Sequence, residues 1–190
     1  MDDIYAFVFK GVLTDIKLDK EGRERNKNLN YVEIQELRQS LNFDLLDKDI
    51  VVDAQKMAIV YTAIYTLENM IREFVSKTMA NAYGDQWWNN NVPEKIRTKV
   101  KIRIEDDKRL RWHNSRGTTE IAYSDFGDIQ NIIIANWDLF KDTLITQEWT
   151  KQILSTLEKS RNVVMHSGVI DRFDIERIGM NIRDWLRQVE

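Results

Sequence analysis

The chain has no cysteine, one proline and two histidines among its 190 residues. Without cysteine there is no disulfide, no thiol nucleophile and no thiolate metal site. With only His113 and His166, a multi-histidine metal centre is excluded, and any histidine chemistry must use one of these two. One proline and seven glycines exclude a collagen-like or low-complexity chain. H-E-x-x-H, D-x-D-x-D, G-x-S-x-G and a glycine-rich phosphate loop are all missing, so neither metal-assisted hydrolysis nor Ser-His-Asp catalysis has a signature. No uninterrupted apolar run reaches ten residues, so no membrane-spanning helix is expected. The acidic start Met1-Asp2-Asp3 lacks the basic region of a signal peptide, and the expected compartment is the cytoplasm.

What is present is 43% hydrophobic and 31% charged, enough for one domain with a small appendage to bury roughly 70% of its unfolded surface. The charge is uneven. Lys95, Arg97, Lys99, Lys101, Arg103, Lys108, Arg109, Arg111 and Arg116 face only Glu105, Asp106 and Asp107, a window of +6 in a chain of net −3. Such a segment is either a polyanion footprint or a solvated face balancing acidic neighbours. The run Glu105-Asp106-Asp107 reads as a helix-surface cluster rather than a metal site.

Residues 1–50 form an N-terminal extension. Ile4–Leu13 suits a buried strand or a short helix equally well, Asp19–Asn30 reads as a loop, and Tyr31, Ile34, Leu37 and Leu41 have helical spacing. From residue 51 to 190 the pattern is helical. Apolar residues step by three and four from Val51 to Met79, and Gly84 follows as a stop. A helix of about 30 residues would span roughly 45 Å, long enough that a kink or a break is expected. Asp85–Pro93 reads as a turn. Lys95–Ile104 alternates like a strand, yet Ile96, Val100 and Ile104 also stand four apart, and the helical surroundings favour a helix. His113–Thr119 reads as a loop. Ser124 or Asp125 would cap a helix carrying Ile129, Ile132, Ile133, Trp137 and Phe140. Thr146 would cap the next, which Gly168 interrupts. Asp174 would cap the last, with Ile175, Ile178, Ile182, Trp185, Leu186 and Val189 inward. The expectation is an all-α bundle of four to five helices.

Arg161-Asn162-Val163-Val164-Met165-His166 closes one of these helices. Arg161 offers a planar fork for phosphate oxygens. His166 is the histidine at a helix end and carries protons near neutral pH. The Asn162 amide can hold the histidine or a phosphate oxygen. On a regular helix Arg161 and His166 stand about 140° apart, so one face holds both only if the turn distorts or the arginine wraps round. Glu68 and Arg72, four apart, read as a helix-face ion pair or as support for Arg161. The six tryptophans read as packing residues. His113 lies in a loop with Arg111, Asn114 and Arg116 that could touch RNA, although a surface histidine is the default.

The stretch Arg161–Gly168, RNVVMHSG, resembles the Arg-x-x-x-x-His motif of the HEPN superfamily. Thr66–Val75, TLENMIREFV, is similar to the first long helix of the HEPN branch known from a eukaryotic RNA-surveillance endonuclease and many bacterial proteins. Tyr83-Gly84, Trp87-Trp88, Val92-Pro93, Tyr123, Phe126, Trp137 and Phe140 follow in the order of that branch, and the resemblance covers residues 51–187. It implies a HEPN-like bundle that dimerises with two motif copies facing each other. It also implies RNA cleavage without metal or other cofactor, by attack of the 2′-hydroxyl on the adjacent phosphate. Arg161, Asn162 and His166 are then the catalytic residues, Glu68 and Arg72 support them, and Lys108, Arg109, Arg111 and Arg116 line the RNA path. A toxin or phage-defence effector fits that activity, with an inhibitor or a larger defence complex as further partners. The alternative within the same fold is a non-cleaving module that recruits or regulates a partner protein or nucleic acid. Gly168 stands where one subgroup has the tyrosine of Arg-x-x-x-x-His-x-Tyr, which argues against that subgroup's nucleotidyltransferase antitoxin.

Overall fold

The computed structural model describes residues 31–109 and 113–189, together with 4, 7, 8, 10, 11, 13, 14, 17 and 29. Arg111, Trp112 and, apart from Leu29, the loop expected over Asp19–Asn30 lie outside the described residues. The described positions between 4 and 17 are helical. The chain divides into two units, Met1–Asp47 and Lys48–Glu190.

In the first unit α1 spans Tyr31–Ser40. Asn42, in the left-handed region at φ 52°, turns the chain into a 3-10 turn over Phe43–Leu45. The Arg38 guanidinium lies 4.7 Å over the Phe43 ring. Tyr31, Ile34, Leu37 and Leu41 are exposed.

In the second unit every described regular element is helical. The order is α2 (Lys48–Tyr83), α3 (Trp87–Asn91), α4 (Glu94–Arg109), a 3-10 turn (Glu120–Tyr123), α5 (Phe126–Ala135), α6 (Trp137–Phe140), α7 (Gln147–Met165) and α8 (Arg172–Val189). The all-α bundle expected from the sequence is therefore present, with α2, α4, α5, α7 and α8 as its five longer helices.

Helix α2 is the axis. It runs unbroken for 36 residues, about 54 Å, rather than splitting into two. Met57, Val60, Ile64, Leu67, Ile71, Val75 and Met79 form its buried stripe, and α3, α5, α6, α7 and α8 all pack on it. Among the described residues this helix alone is long and apolar enough to cross a membrane. Its stripe instead lines the core. Phe74 stands edge-on to Phe140 of α6 and to Trp185 of α8, with centroids 5.7 and 6.1 Å away. Trp185 in turn stacks on Trp149 of α7 at 6.0 Å. Four helices thus meet through aromatic contacts that supplement plain area burial.

Several local expectations change. Asp85–Pro93 is not all turn: Trp87–Asn91 is helical because both tryptophans are buried, edge-on at 5.5 Å. Lys95–Ile104 lies within helix α4, with Ile96 and Val100 buried and Ile102 exposed. Trp137 and Phe140 do not continue α5. The Asn136 amide donates to Ile132 O and Asn91 O, ending α5 and starting α6 on a new axis. The last helix begins at Arg172. Asp171, not Asp174, is its capping side chain, accepting the Asp174 N–H at 2.8 Å. Ile175 is exposed, not inward.

Leu154 of α7 has no exposed surface, whereas Ile59 of α2 is 75% exposed. Leu154→Ala should destabilise the chain by about 3 kcal/mol. Ile59→Ala should stay within about 0.5 kcal/mol of the parent. Urea unfolding of the three proteins checks both.

Candidate active site

Helix α7 delivers the motif. Thr146 caps its start, accepting the Trp149 N–H at 3.1 Å. Its other end is a left-handed stop. Ser167 takes φ 61°, the Ser167 N–H reaches Val164 O at 3.1 Å, and the Gly168 N–H reaches Val163 O at 2.8 Å. These two bonds make a Schellman closure in which serine holds the place usual for glycine. Gly168 is needed for a different reason: a Cβ there would lie 2.6 Å from Val163 Cγ1 and 2.9 Å from Val163 O. The helix therefore ends with His166 as its last half-helical residue, its N–H on Asn162 O at 3.0 Å. His166 is exposed, and among the described residues its imidazole has no hydrogen-bond or ion-pair partner.

Arg161 sits earlier on α7 and is half-buried. Its Nε lies 3.5 Å from Glu68 Oε2 on α2, and its Nη1 is 3.5 Å from Asn162 Oδ1. Glu68 is 4% exposed, so its charge has left water and depends on what surrounds it. Arg72 Nη2 donates to Glu68 Oε1 at 2.5 Å and to Ser124 O at 2.8 Å. The pair is thus a buried clasp between two guanidiniums, not a solvated helix-face bridge. Burial pushes the Glu68 carboxyl above its ordinary value. Arg72 and Arg161 pull it down without cancelling that effect, and the charge of Asp125 adds to the rise.

The structure brings Arg161, Asn162, Glu68 and Arg72 together. It places His166 one turn beyond them on the exposed helix end. It also adds residues that the sequence did not mark as part of the site. Asp125 and Asp128 form the capping box of α5, Asp128 N–H to Asp125 Oδ1 at 2.8 Å and Asp125 N–H to Asp128 Oδ2 at 3.2 Å. Lys99 Nζ reaches Asp125 at 3.0 Å and Asp128 at 2.9 Å. Arg103 reaches Asp125 at 2.7 Å, Asp128 at 2.6 Å and Tyr123 O at 2.6 Å. Burial alone would raise the Asp125 carboxyl. The Asp128 N–H, Lys99 and Arg103 outweigh it and hold the group far below the usual carboxylate range. Asp-x-x-Asp before an apolar run was the available signal for the cap; its two cations stand more than twenty residues earlier in the chain.

Much of the basic window is engaged at home. Besides Lys99 and Arg103, Arg97 donates to Val92 O, Arg109 pairs with Asp106, and Arg116 pairs with Asp107. Lys108 and Asp107 line a polar hollow of about 600 Å³ with His113, Asn114 and Thr118. Beside His166 lies a different surface. Ala54, Met57, Ala58 and Tyr61 of α2 face Val164, Met165 and Gly168 across a mainly apolar groove of about 620 Å³. Met165 and Val169, which line it, are exposed, as are Val163 and Phe173.

A family model described as Swt1-like HEPN matches residues 62–190, which takes in Glu68, the α5 cap and the whole motif. No curated protein and no solved structure matches the chain.

Two outcomes follow for the clasp. Glu68→Ala strands Arg72 in the interior and should cost about 3 kcal/mol in urea unfolding, several times the cost of losing an exposed pair such as Glu73 with Lys77. Asp125 is depressed in the fold, so its stabilisation is complete above its unfolded value of about 3.9 and is lost as pH falls below it. Asp125→Asn should therefore flatten the fall of Tm between about pH 4 and pH 2. Parallel acid limbs for parent and variant would contradict this.

Proposed function

The chain belongs to the Swt1-like HEPN family, and on that premise we propose that it is a metal-independent endoribonuclease whose site is completed by a second copy of the chain. The observation that carries this reading is the division of labour along one helix end. Arg161 is a guanidinium held in place by a buried carboxylate, and His166 is an imidazole presented to solvent one turn later. In-line attack of a 2′-hydroxyl needs a proton taken from that hydroxyl, a proton given to the leaving 5′-oxygen, and a cation on the non-bridging oxygens. His166 supplies proton transfer and Arg161 supplies the charge. Asn162, exposed beside Arg161, orients a phosphate oxygen or the imidazole through its amide. Glu68 and Arg72 keep Arg161 from collapsing elsewhere.

One histidine per chain is a thin site for two proton transfers. A twofold-related copy brings a second His166, so one imidazole can act as base and the other as acid. Val163, Met165 and Val169, close to His166 in the chain, are exposed and apolar and suit a self-complementary contact. Lys108, Arg109, Arg111 and Arg116 are the proposed RNA-path residues, with Lys108 and Arg116 close to the hollow beside His113. A toxin or defence effector in the cytoplasm, held by an inhibitor or a larger complex, is the physiological role consistent with such an activity. The pairing of Arg161 with Glu68 also favours a second reading, a non-cleaving module in which the arginine is structural and the groove holds a partner.

Substitution of the motif separates the two. His166→Ala and Arg161→Ala should each lower cleavage of single-stranded RNA by at least about a thousandfold with circular dichroism unchanged. Chelator should leave the parent's rate as it was. Parent-like cleavage by both folded variants would assign the motif to structure. Sedimentation should give a dimer at micromolar concentration, and a monomer that cleaves at full rate would contradict the composite site. Replacing Lys108, Arg109 and Arg111 together with Ala should weaken RNA binding and flatten its salt dependence while kcat stays nearly intact. Superimposable filter-binding curves would remove that segment from the RNA path.

A further inference from the structure

In the middle of α4 two cations of the basic window, Lys99 and Arg103, are engaged with the Asp125–Asp128 cap of α5. Arg103 grips two residues of the connection into α5, Tyr123 and Asp125, together with Asp128 in the first turn of that helix. Its Nη1 holds Tyr123 O at 2.6 Å and Asp128 Oδ2 at 2.6 Å, and its Nη2 holds Asp125 Oδ2 at 2.7 Å. Between the two gripped residues stands Ser124, only 2% exposed. Its carbonyl is the acceptor for Arg72 at 2.8 Å.

Arg72 is held in a way that makes this acceptor matter. Nη2 makes both the Ser124 contact and the Glu68 contact. Arg72 Nε is buried without a partner among the described residues, and so is the Ser124 hydroxyl. Arg72 Nη1 meets only Asn69 Oδ1 of its own helix, at 3.2 Å, so a movement of Ser124 O is passed to Glu68 through Nη2, the nitrogen that both contacts share. Glu68 Oε1 takes Arg72, which leaves Oε2 facing Arg161. The order of contacts is Arg103, then Tyr123–Asp125, then Arg72, then Glu68, then Arg161.

We propose that Arg103 is a positioning residue for Arg161, acting through the Tyr123–Asp125 segment, Arg72 and Glu68, with Lys99 holding the same two aspartates from the solvent side. The inference rests on Arg161 being the phosphate-binding group of the site. It places the centre of α4 in the scaffold of the site and leaves the exposed end of α4 to meet RNA. A residue that touches RNA would act on binding and its salt dependence. A residue that aims Arg161 acts on the transition state, where charge on the phosphate oxygens is greatest.

The test uses the full chain with Arg103→Met, Arg103→Lys, Glu68→Gln and the double variant Arg103→Met/Glu68→Gln. Lys141→Met, at an exposed pair with Asp138, is the control. The first readout needs no activity: the side-chain Nε–Hε resonances of Arg161 and Arg72 in ¹⁵N spectra. Arg103→Met should shift or broaden both while Lys141→Met moves neither. If Arg103→Met does not fold, Arg103→Lys, which keeps the charge and loses the fork, is read in its place and should shift both less. An unmoved Arg161 resonance in a folded variant overturns the proposal.

The second readout is kinetic. Arg103→Met should lower kcat about tenfold with KM within about twofold and an unchanged salt slope, and Arg103→Lys should recover part of the loss. In the Glu68→Gln background the same change should cost less than about threefold, because the chain of contacts is already cut. A raised KM at unchanged kcat, or losses that simply multiply, would overturn the proposal. A parent that cleaves no RNA sinks the ribonuclease reading, and the resonance measurement then still decides the positioning of Arg161.

Discussion

The buried carboxylate of Glu68 sets the terms for the rest of the site. It stands in the middle of the longest helix, on the stripe that otherwise holds Ile64, Leu67, Ile71 and Val75, all at most 2% exposed. A charge there is tolerated only if its lone pairs are met, and the bundle meets them with two guanidiniums from different helices. That requirement fixes how α2 and α7 are aligned. It ties Ser124 to the site, since the nitrogen of Arg72 that meets Glu68 also meets Ser124 O. It also leaves Arg161 only partly exposed. The apolar packing of α2 against α5, α7 and α8 supplies stability, and the clasp supplies register.

The charge pattern looks different once partners are known. A window of +6 in an acidic chain invites a nucleic-acid footprint. In the folded protein Lys99 and Arg103 neutralise the Asp125–Asp128 cap, Arg109 faces Asp106 and Arg116 faces Asp107. Two of the three acidic residues that interrupt the window, Asp106 and Asp107, are thus partners of its cations. Positive potential along α4 is weaker in its centre than the sequence count implies. The face beside His166 is apolar, not basic, and suits protein contact better than phosphate contact.

The bundle was legible because helical period is a local property. The helical period of Val51 to Met79 could be read from spacing alone, though not that it runs without a break, and Thr146 could be read as a cap from residue type. Even the ambiguous Lys95–Ile104 held its answer in the four-residue steps of Ile96, Val100 and Ile104. What escaped depends on distant packing. Trp87–Asn91 is helical because two tryptophans need a buried site, while its asparagines alone suggest a turn. Asn136 breaks α5 from α6 through a bond to Asn91, 45 residues earlier. Arg161 and His166 were visible as a motif, since spacing along one helix is a sequence property. Whether Glu68 and Arg72 were surface or interior was not, because what packs on them comes from distant parts of the chain, Ser124 and Arg161 among them.

The central claim is that this helix end performs 2′-hydroxyl attack. The most direct measurement is the chemistry of the cut. Purified protein, with chelator present, is given a single-stranded RNA and the same strand carrying one 2′-deoxy nucleotide at the cleavage position, and the products are weighed by mass spectrometry. The expected products are a 2′,3′-cyclic phosphate on the upstream fragment and a 5′-hydroxyl on the downstream one, with no cut at the deoxy position. A 5′-phosphate, or equal cleavage of the deoxy strand, would contradict it.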